Sequence, residues 1–423
     1  MINSFYDETQ TSGGPLVVSH NMPEAQSVAL GVFIDVGSRD ESDLQAGITH
    51  ALEHMLFKGT KQMDVHALAE KLDELGGNAN AFTSRERTCF HLHVLHEHWQ
   101  EALSLLTSMI REPAMPEAEW QREREVIYAE MAMVEDSPEE WIMDRHLAAL
   151  FPEHALGRPV LGTHEALASL STDDLSAYLQ HWYRPPRLLI TAAGRIDHAE
   201  LVAEVDSLDW LQQSNTSEQA ALARTGCAMR TGVQSLEREG EQAQLILSFP
   251  GISATSAERP IAWLANQILG GGMSSCLFRE IREKRGLVYS VGSHLSMLTD
   301  MGAWSVSCGM EPSRGAECVD VLCDVLGSFV EEITEEELHR AKRQLEVQFR
   351  MGLDSVEGQM LYLGSRLDEE YLNSPMQWLD LMHAVDMDQL RLWSERQLSQ
   401  GMLWSVAAPK QALSGICDRI RPC

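Results

Sequence analysis

The sequence predicts two similar α+β domains, each an antiparallel or mixed sheet layered with helices. Three observations lead there. The chain has 423 residues, 44% of them hydrophobic and 23% charged, which is a globular composition spread over more length than one core usually organises. Two stretches of the first half return in the second at nearly one offset. MPEAEWQREREVIYAE (115–130) has the texture of ITEEELHRAKRQLEVQ (333–348), a shift of 218, and RLLITAAG (187–194) resembles MLWSVAAP (402–409), a shift of 215. A fixed offset is the mark of duplication. Between the copies, residues 209–228 (DWLQQSNTSEQAALARTGCA) are polar and aperiodic, as a linker would be. The expected domains are therefore residues 1–210 and 228–423, joined by residues 211–227.

Within the first half, QSVALGVFIDVG (26–37) reads as a buried strand, because β-branched and small apolar residues run without a polar break. A helix follows from about Ala46 to Leu56. Residues 65–75, VHALAEKLDEL, space their apolar positions helically, and Gly76-Gly77 ends that helix. Residues 78–95 alternate as strands: Phe90, Leu92 and Val94 face one way, while His91 and His93 face the other and are expected to meet solvent. A long helix over about 116–136 starts at Pro116, and RLLITAAGRID closes the half as a strand.

The charge balance excludes some functions. There are 63 acidic and 33 basic residues, a net charge of −30, which repels phosphate backbones and argues against nucleic-acid binding. The acidity suits either plain solubility or a chamber that attracts basic peptides. No segment approaches the ~18 apolar residues of a spanning helix. The start, MINSFYDETQTSGGP, has neither the basic-then-apolar layout of a secretory signal nor the Arg-rich character of a transit peptide. A bacterial cytoplasm is the expected location, unless a leader has been removed. The eight cysteines, at 89, 227, 276, 308, 318, 323, 417 and 423, form no CxxC pair and read as reduced thiols.

The chemistry concentrates at His50-Ala51-Leu52-Glu53-His54. On a helix, positions i and i+4 share a face, so two imidazoles can reach one ion. The carboxylate at i+3 lies between them, placed to hold and deprotonate a water. Two nitrogens and one carboxylate, with a fourth position open, suit zinc. H-x-x-E-H is the inverted zinc-peptidase signature, although a pentapeptide also fits two surface histidines on an ordinary helix. Glu123 and Glu130 lie seven residues apart, two turns on one face, a pattern that by itself more often marks a solvated surface.

Four blocks extend the pattern: THALEHMLFKGT (49–60), LGGNANAFTSRERTCF (75–90), EREVIYAEM (123–131) and FREIREKRGLVYSVGS (278–293). Together, in this order, they resemble the pitrilysin/insulinase family of zinc peptidases, and within it the two-domain branch that includes the mitochondrial processing peptidase and bacterial homologues. The resemblance implies one Zn2+ per chain, held by His50, His54 and Glu130, with Glu123 supporting the site behind these ligands and Glu53 as the catalytic base. It implies that Asn78, Ala79, Asn80, Ala81 and Phe82 form an edge strand to which an extended peptide substrate adds. Arg282 and Tyr289 match an Arg/Tyr pair able to stabilise an oxyanion. Members of this branch pair into a clamshell around a closed chamber. The expected reaction is attack of a metal-activated water on a peptide carbonyl, in a homodimer or in a heterodimer with an inactive homologous chain.

Other patterns carry less. His91, His93, His96 and His98 cluster without an acidic or cysteine partner pattern, so a second metal site is not expected. Gly270-Gly271-Gly272-Met273-Ser274-Ser275 lacks the GK[ST] ending of a phosphate loop. The second half has no H-x-x-E-H, and the shift of 218 puts Gln348 against Glu130 and Ala341 against Glu123. The copy has lost the metal chemistry. The rival reading is a non-catalytic subunit of an assembly, but relatives of that kind lose the zinc motif and this chain retains it.

Overall fold

The computed structural model describes residues 5–12, 14–208, 210, 224–367 and 374–421; most of the expected linker, residues 211–223, lies outside them. The first half runs β1 (Asp7–Gln10), β2 (Leu16–Asn21), β3 (Ser27–Ile34), α1 (Ile48–Leu56), α2 (Val65–Glu74), β4 (Asn78–Thr83), β5 (Thr88–Leu95), α3 (Trp99–Arg111), α4 (Glu117–Asp136), α5 (Pro138–Leu150), α6 (His164–Ser169), α7 (Thr172–Trp182), β6 (Leu188–Gly194) and α8 (His198–Ser207). The second runs β7 (Gly232–Glu237), β8 (Ala243–Pro250), α9 (Arg259–Gly270), β9 (Val288–Met297), β10 (Gly302–Met310), α10 (Gly315–Glu332), α11 (Glu335–Gly352), α12 (Val356–Gly364), α13 (Pro375–Ala384), α14 (Met387–Leu398), β11 (Leu403–Ala408) and α15 (Lys410–Cys417). Among the described residues, no helix is long and apolar enough to cross a membrane.

The two sheets show the duplication directly. Their strand orders are β1-β2-β6-β3-β5-β4 and β7-β11-β8-β10-β9. Without β1 the orders are the same, and so are the directions. β2 runs parallel to β6, as β7 does to β11, and all other neighbours are antiparallel. The shift of 218 carries Glu117, the start of α4, onto Glu335, the start of α11.

The compact units are not contiguous in sequence. The first contains residues 1–132, 158–223 and 350–374; the second contains 133–157, 224–349 and 375–423. The expected domains 1–210 and 228–423 thus differ from these units by two exchanged segments. The physical reason lies in the sheets. In the first unit, α1 and α3 cover one face of the sheet, with Leu52, Met55, Leu103 and Leu106 packed against Leu30, Val32, Phe90 and Ile190. The opposite face also presents apolar residues, Val18, Ala29, Phe33 and Leu189, and α12 covers them with Val356, Met360 and Leu363. Burial on both faces explains why β3 reads SVALGVFI without alternation. Gly31 belongs to this arrangement: a Cβ there would lie 2.5 Å from Met360 Sδ. Helix α12 also corrects one expectation. His91 does not face solvent; it lies partly buried beside α12, with Nδ1 3.7 Å from Glu357 Oε1, while His93 Nε2 meets Ser27 Oγ at 2.9 Å.

In the second unit, α5 covers the equivalent face, with Ile142 packed on Ile246 and Ala407. It brings His146, 1% exposed, into a buried polar chain. Ser405 Oγ donates to Gln234 Oε1, so it accepts from His146 Nδ1–H at 2.8 Å. Nε2 then accepts from the Ser248 hydroxyl at 2.7 Å, a tautomer assigned from the network. Burial first, and repulsion from His294 second, depress its pKa from 6.5 to about 4. The unfolded chain therefore takes up the proton first as pH falls. The stability that neutral His146 contributes is fully present above about pH 6.5 and declines until about pH 4, by about 3 kcal/mol for this shift. Urea unfolding from pH 7.5 to 4 checks this: His146→Gln should lose less stability across that window than the unaltered chain, and equal losses would contradict it.

Candidate metal centre

Helix α1 carries three of the expected site residues. Its first turn is fixed from outside the helix. Gly47 adopts φ 94° at the N-cap, a conformation open to glycine. The carboxylate of Glu41 accepts from Gly47 N–H at 2.8 Å and from Thr49 N–H at 2.9 Å, satisfying two donors at the helix start. Burial raises the Glu41 pKa to about 7, with those hydrogen bonds acting in the opposite sense. Apolar positions Ile48, Ala51, Leu52, Met55 and Leu56 are buried, so His50, Glu53 and His54 line the other face together. The two imidazoles pack with centroids 4.6 Å apart.

Helix α4 supplies the carboxylates. It buries Trp120, Glu123, Ile127 and Met131, and Trp120 Nε1 is anchored to Leu170 O at 3.0 Å. Glu130 Oε2 lies 3.8 Å from His50 Nε2 and 3.7 Å from His54 Nε2. His50, His54 and Glu130 offer ligand atoms that all lie within 4.8 Å of one another, the one such group among the described residues. That spacing fits a single ion bonded at about 2.0–2.2 Å to each donor, and the nitrogen and carboxylate donors suit zinc. Burial, with His54 adding to it, lowers the His50 pKa to about 4, which keeps its ring neutral and able to act as a ligand. Behind His54, Glu123 Oε2 accepts from Nδ1–H at 3.0 Å, which fixes the tautomer and leaves Nε2 aimed at Glu130. Glu123 is 8% exposed.

Glu53 projects beside this triangle without joining it. Its carboxyl is raised above the usual range, chiefly by burial, and the Thr83 hydroxyl donates to Oε2. Thr83 is the last residue of β4, the outermost strand on its side of the sheet. Among the described residues, Asn78, Ala79, Asn80, Ala81 and Phe82 pair with β5 alone, in register Asn78↔His93 through Thr83↔Thr88. Ala79 and Ala81 pack toward the core under α1, whereas Asn78, Asn80 and Phe82 are exposed, with Phe82 edge-on to Phe33. The hairpin after β4 is clamped by the buried pair Arg39–Glu86 at 2.5 Å.

Arg282 and Tyr289 belong to the second unit. Arg282 lies in a π-helical turn, Phe278–Glu283, with its guanidinium 4.8 Å from the Phe278 centroid and 5.6 Å from that of Tyr289. Tyr289 stands on β9, the edge strand equivalent to β4, and is 77% exposed. Sequence reasoning missed Glu41, which only the fold brings to the start of α1. It also gave no part to Lys58, although it stands inside a quoted block, and it read Thr83 only as the end of the edge strand, not as a partner of Glu53.

Comparison with known proteins points to one family. Residues 16–164 match the family model for insulinase, peptidase family M16, and residues 169–345 match the model for the peptidase M16 inactive domain. An uncharacterized zinc protease of Streptomyces coelicolor is 34% identical over 90% of this chain and 82% of its own length. The uncharacterized zinc protease YmxG of Bacillus subtilis is 35% identical over 82% of this chain and 84% of its own. Two solved structures share the fold. A protease from Helicobacter pylori has a TM-score of 0.88 at 18% identity, covering 96% of this chain and 99% of its own. A peptidase M16 inactive domain from Pseudomonas fluorescens has 0.86 at 21% identity, covering 96% and 98%. With both family models matched in order over most of its length, the chain belongs to the insulinase family of peptidases, family M16.

Proposed function

We propose that the protein is a zinc-dependent endopeptidase that cuts peptides or unfolded segments. The observation that carries this reading is the convergence of His50, His54 and Glu130 on one small space, with Glu53 on the same helix face and an open strand edge beside it. Zinc, when bound by those three residues, supplies a Lewis acid that polarises the scissile carbonyl and acidifies a water. Glu53 takes the proton from the attacking water and returns it to the leaving amine. Burial raises its pKa, in the direction that suits a group that must both accept and give up that proton, and the Thr83 hydroxyl orients it. Along β4, one row of backbone N–H and C=O groups is unpaired among the described residues, so an extended substrate can add as a further strand next to α1. Arg282 and Tyr289 would stabilise the oxyanion, and the exposed Tyr289 hydroxyl suits a group completed by a partner copy in a homodimer. Enclosure between two such copies would admit only unfolded segments.

The test combines metal analysis with substrate shape. Purified protein should contain about one zinc per chain, lose activity to a chelator and regain it with zinc. It should cut peptides of roughly ten to thirty residues and spare stably folded proteins. A preference for basic peptides, from the charge of −30, should fade as salt rises. Full peptide hydrolysis by metal-free protein would overturn the zinc reading; rapid digestion of a rigid globular protein would overturn the enclosure.

A further inference from the structure

We propose that Lys58 is a positioning residue of the metal centre: its ammonium group holds Glu123, which in turn holds the ring of His54. This rests on the reading that His50, His54 and Glu130 take zinc. Lys58 stands just past the end of α1, where its N–H donates to Met55 O at 3.0 Å, so its backbone position is fixed by the helix that bears the histidines. Its side chain is 23% exposed, and Nζ lies 2.8 Å from Glu123 Oε1. The other oxygen of the same carboxylate, Oε2, accepts a hydrogen bond from His54 Nδ1–H at 3.0 Å. Each oxygen of Glu123 therefore has one partner from α1 or its end, and the carboxylate bridges them.

Two physical consequences follow from that bridge. A buried carboxylate is costly unless its charge is met; among the described residues Lys58 is the cationic partner of Glu123, and His54 is its hydrogen-bond donor. Lys58 therefore meets the charge without drawing His54 away from the metal. It also stops the carboxylate from rotating, because both oxygens are engaged. The plane of the His54 ring, and with it the direction of Nε2 toward Glu130, is then set by a rigid support and not by a single hydrogen bond. Among the described residues, the ion pair of Lys58 is with Glu123 and not with a ligand, so its effect on the metal centre passes through Glu123.

Zinc affinity, read by competition with a chromogenic chelator, separates this from a general structural effect. Lys58→Met should weaken zinc binding roughly tenfold or more, while Lys58→Arg should restore most of the affinity. In a Glu123→Gln background, Lys58→Met should add less than about a twofold loss, since both changes break one chain of contacts. Circular dichroism of the metal-free forms identifies any variant that misfolds, and Lys58→Gln then serves as the milder replacement. Unchanged affinity in a folded Lys58→Met, or the same loss with and without Glu123, would overturn the proposal while leaving the zinc site intact. An unaltered chain that binds no zinc would overturn the site reading and this proposal together.

Discussion

Glu53→Gln is expected to cut peptide hydrolysis by roughly a hundred- to ten-thousandfold, while zinc content stays at that of the unaltered chain. The structure separates the two properties. Glu53 lies on the face of α1 shared by His50 and His54 but is not one of the three residues whose ligand atoms converge. Glutamine retains the shape, and its amide oxygen can still accept from the Thr83 hydroxyl, so α1 and β4 keep their contact. What disappears is a group able to take a proton from water, a loss of about 3–5 kcal/mol of transition-state stabilisation. His54→Ala makes the contrast. It removes a ligand and leaves Glu123, buried between α1 and α4, without its imidazole partner, so both zinc and activity should fall. Zinc by mass spectrometry under native conditions and turnover of a quenched fluorescent peptide read both properties. An active Glu53→Gln protein would remove Glu53 from the mechanism.

Co-expression of Glu53→Gln with Tyr289→Phe should return about a quarter of the unaltered activity, provided each variant alone is nearly inactive. The expectation comes from symmetry: a two-fold homodimer places the same surfaces on both copies. If Tyr289 of one copy serves the metal centre of the other, a mixed dimer has one site with both residues altered and one with both intact. Random pairing makes about half the dimers mixed, and half of their sites work. The exposure of Tyr289, 77%, favours a role completed outside its own chain. Different affinity tags on the two copies allow the mixed dimer to be isolated and assayed alone. Mixed dimers without activity would show that Tyr289 acts within its own chain, or that the true partner is a different, inactive sister chain.

Much of the site was legible in the sequence because its spacing is local. His50, Glu53 and His54 are fixed relative to one another by the pitch of a single helix, and Glu123 and Glu130 by that of another. Any chain that folds these segments as helices puts those groups on common faces. The duplication was legible for a related reason: equivalent helices and strands keep equivalent apolar spacing, so Glu117 and Glu335 begin matching helices and both sheets repeat one strand order. That α1 and α4 meet at all was not local. It required the four motif blocks taken together, and the distances of 3.7 and 3.8 Å to Glu130 belong to packing alone.

The tertiary structure decided what depends on contacts between distant segments. The apolar run of β3 showed that the strand is buried, but not that α12, more than 300 residues later in sequence, would cover its second face and bring Glu357 beside His91. Nor did any pattern show that residues 133–157 and 350–374 would lie in the units of the opposite halves. A helix needs only an apolar stripe to be stable, and the stripe does not specify which sheet receives it. The same holds at the metal centre. Glu41, Thr83 and Lys58 are ordinary polar residues by sequence; the fold gives each a buried or partly buried partner in α1 or α4. Sequence spacing set the order of the chemical groups along each helix, and packing set which of them are desolvated, held in one orientation and close enough to act together.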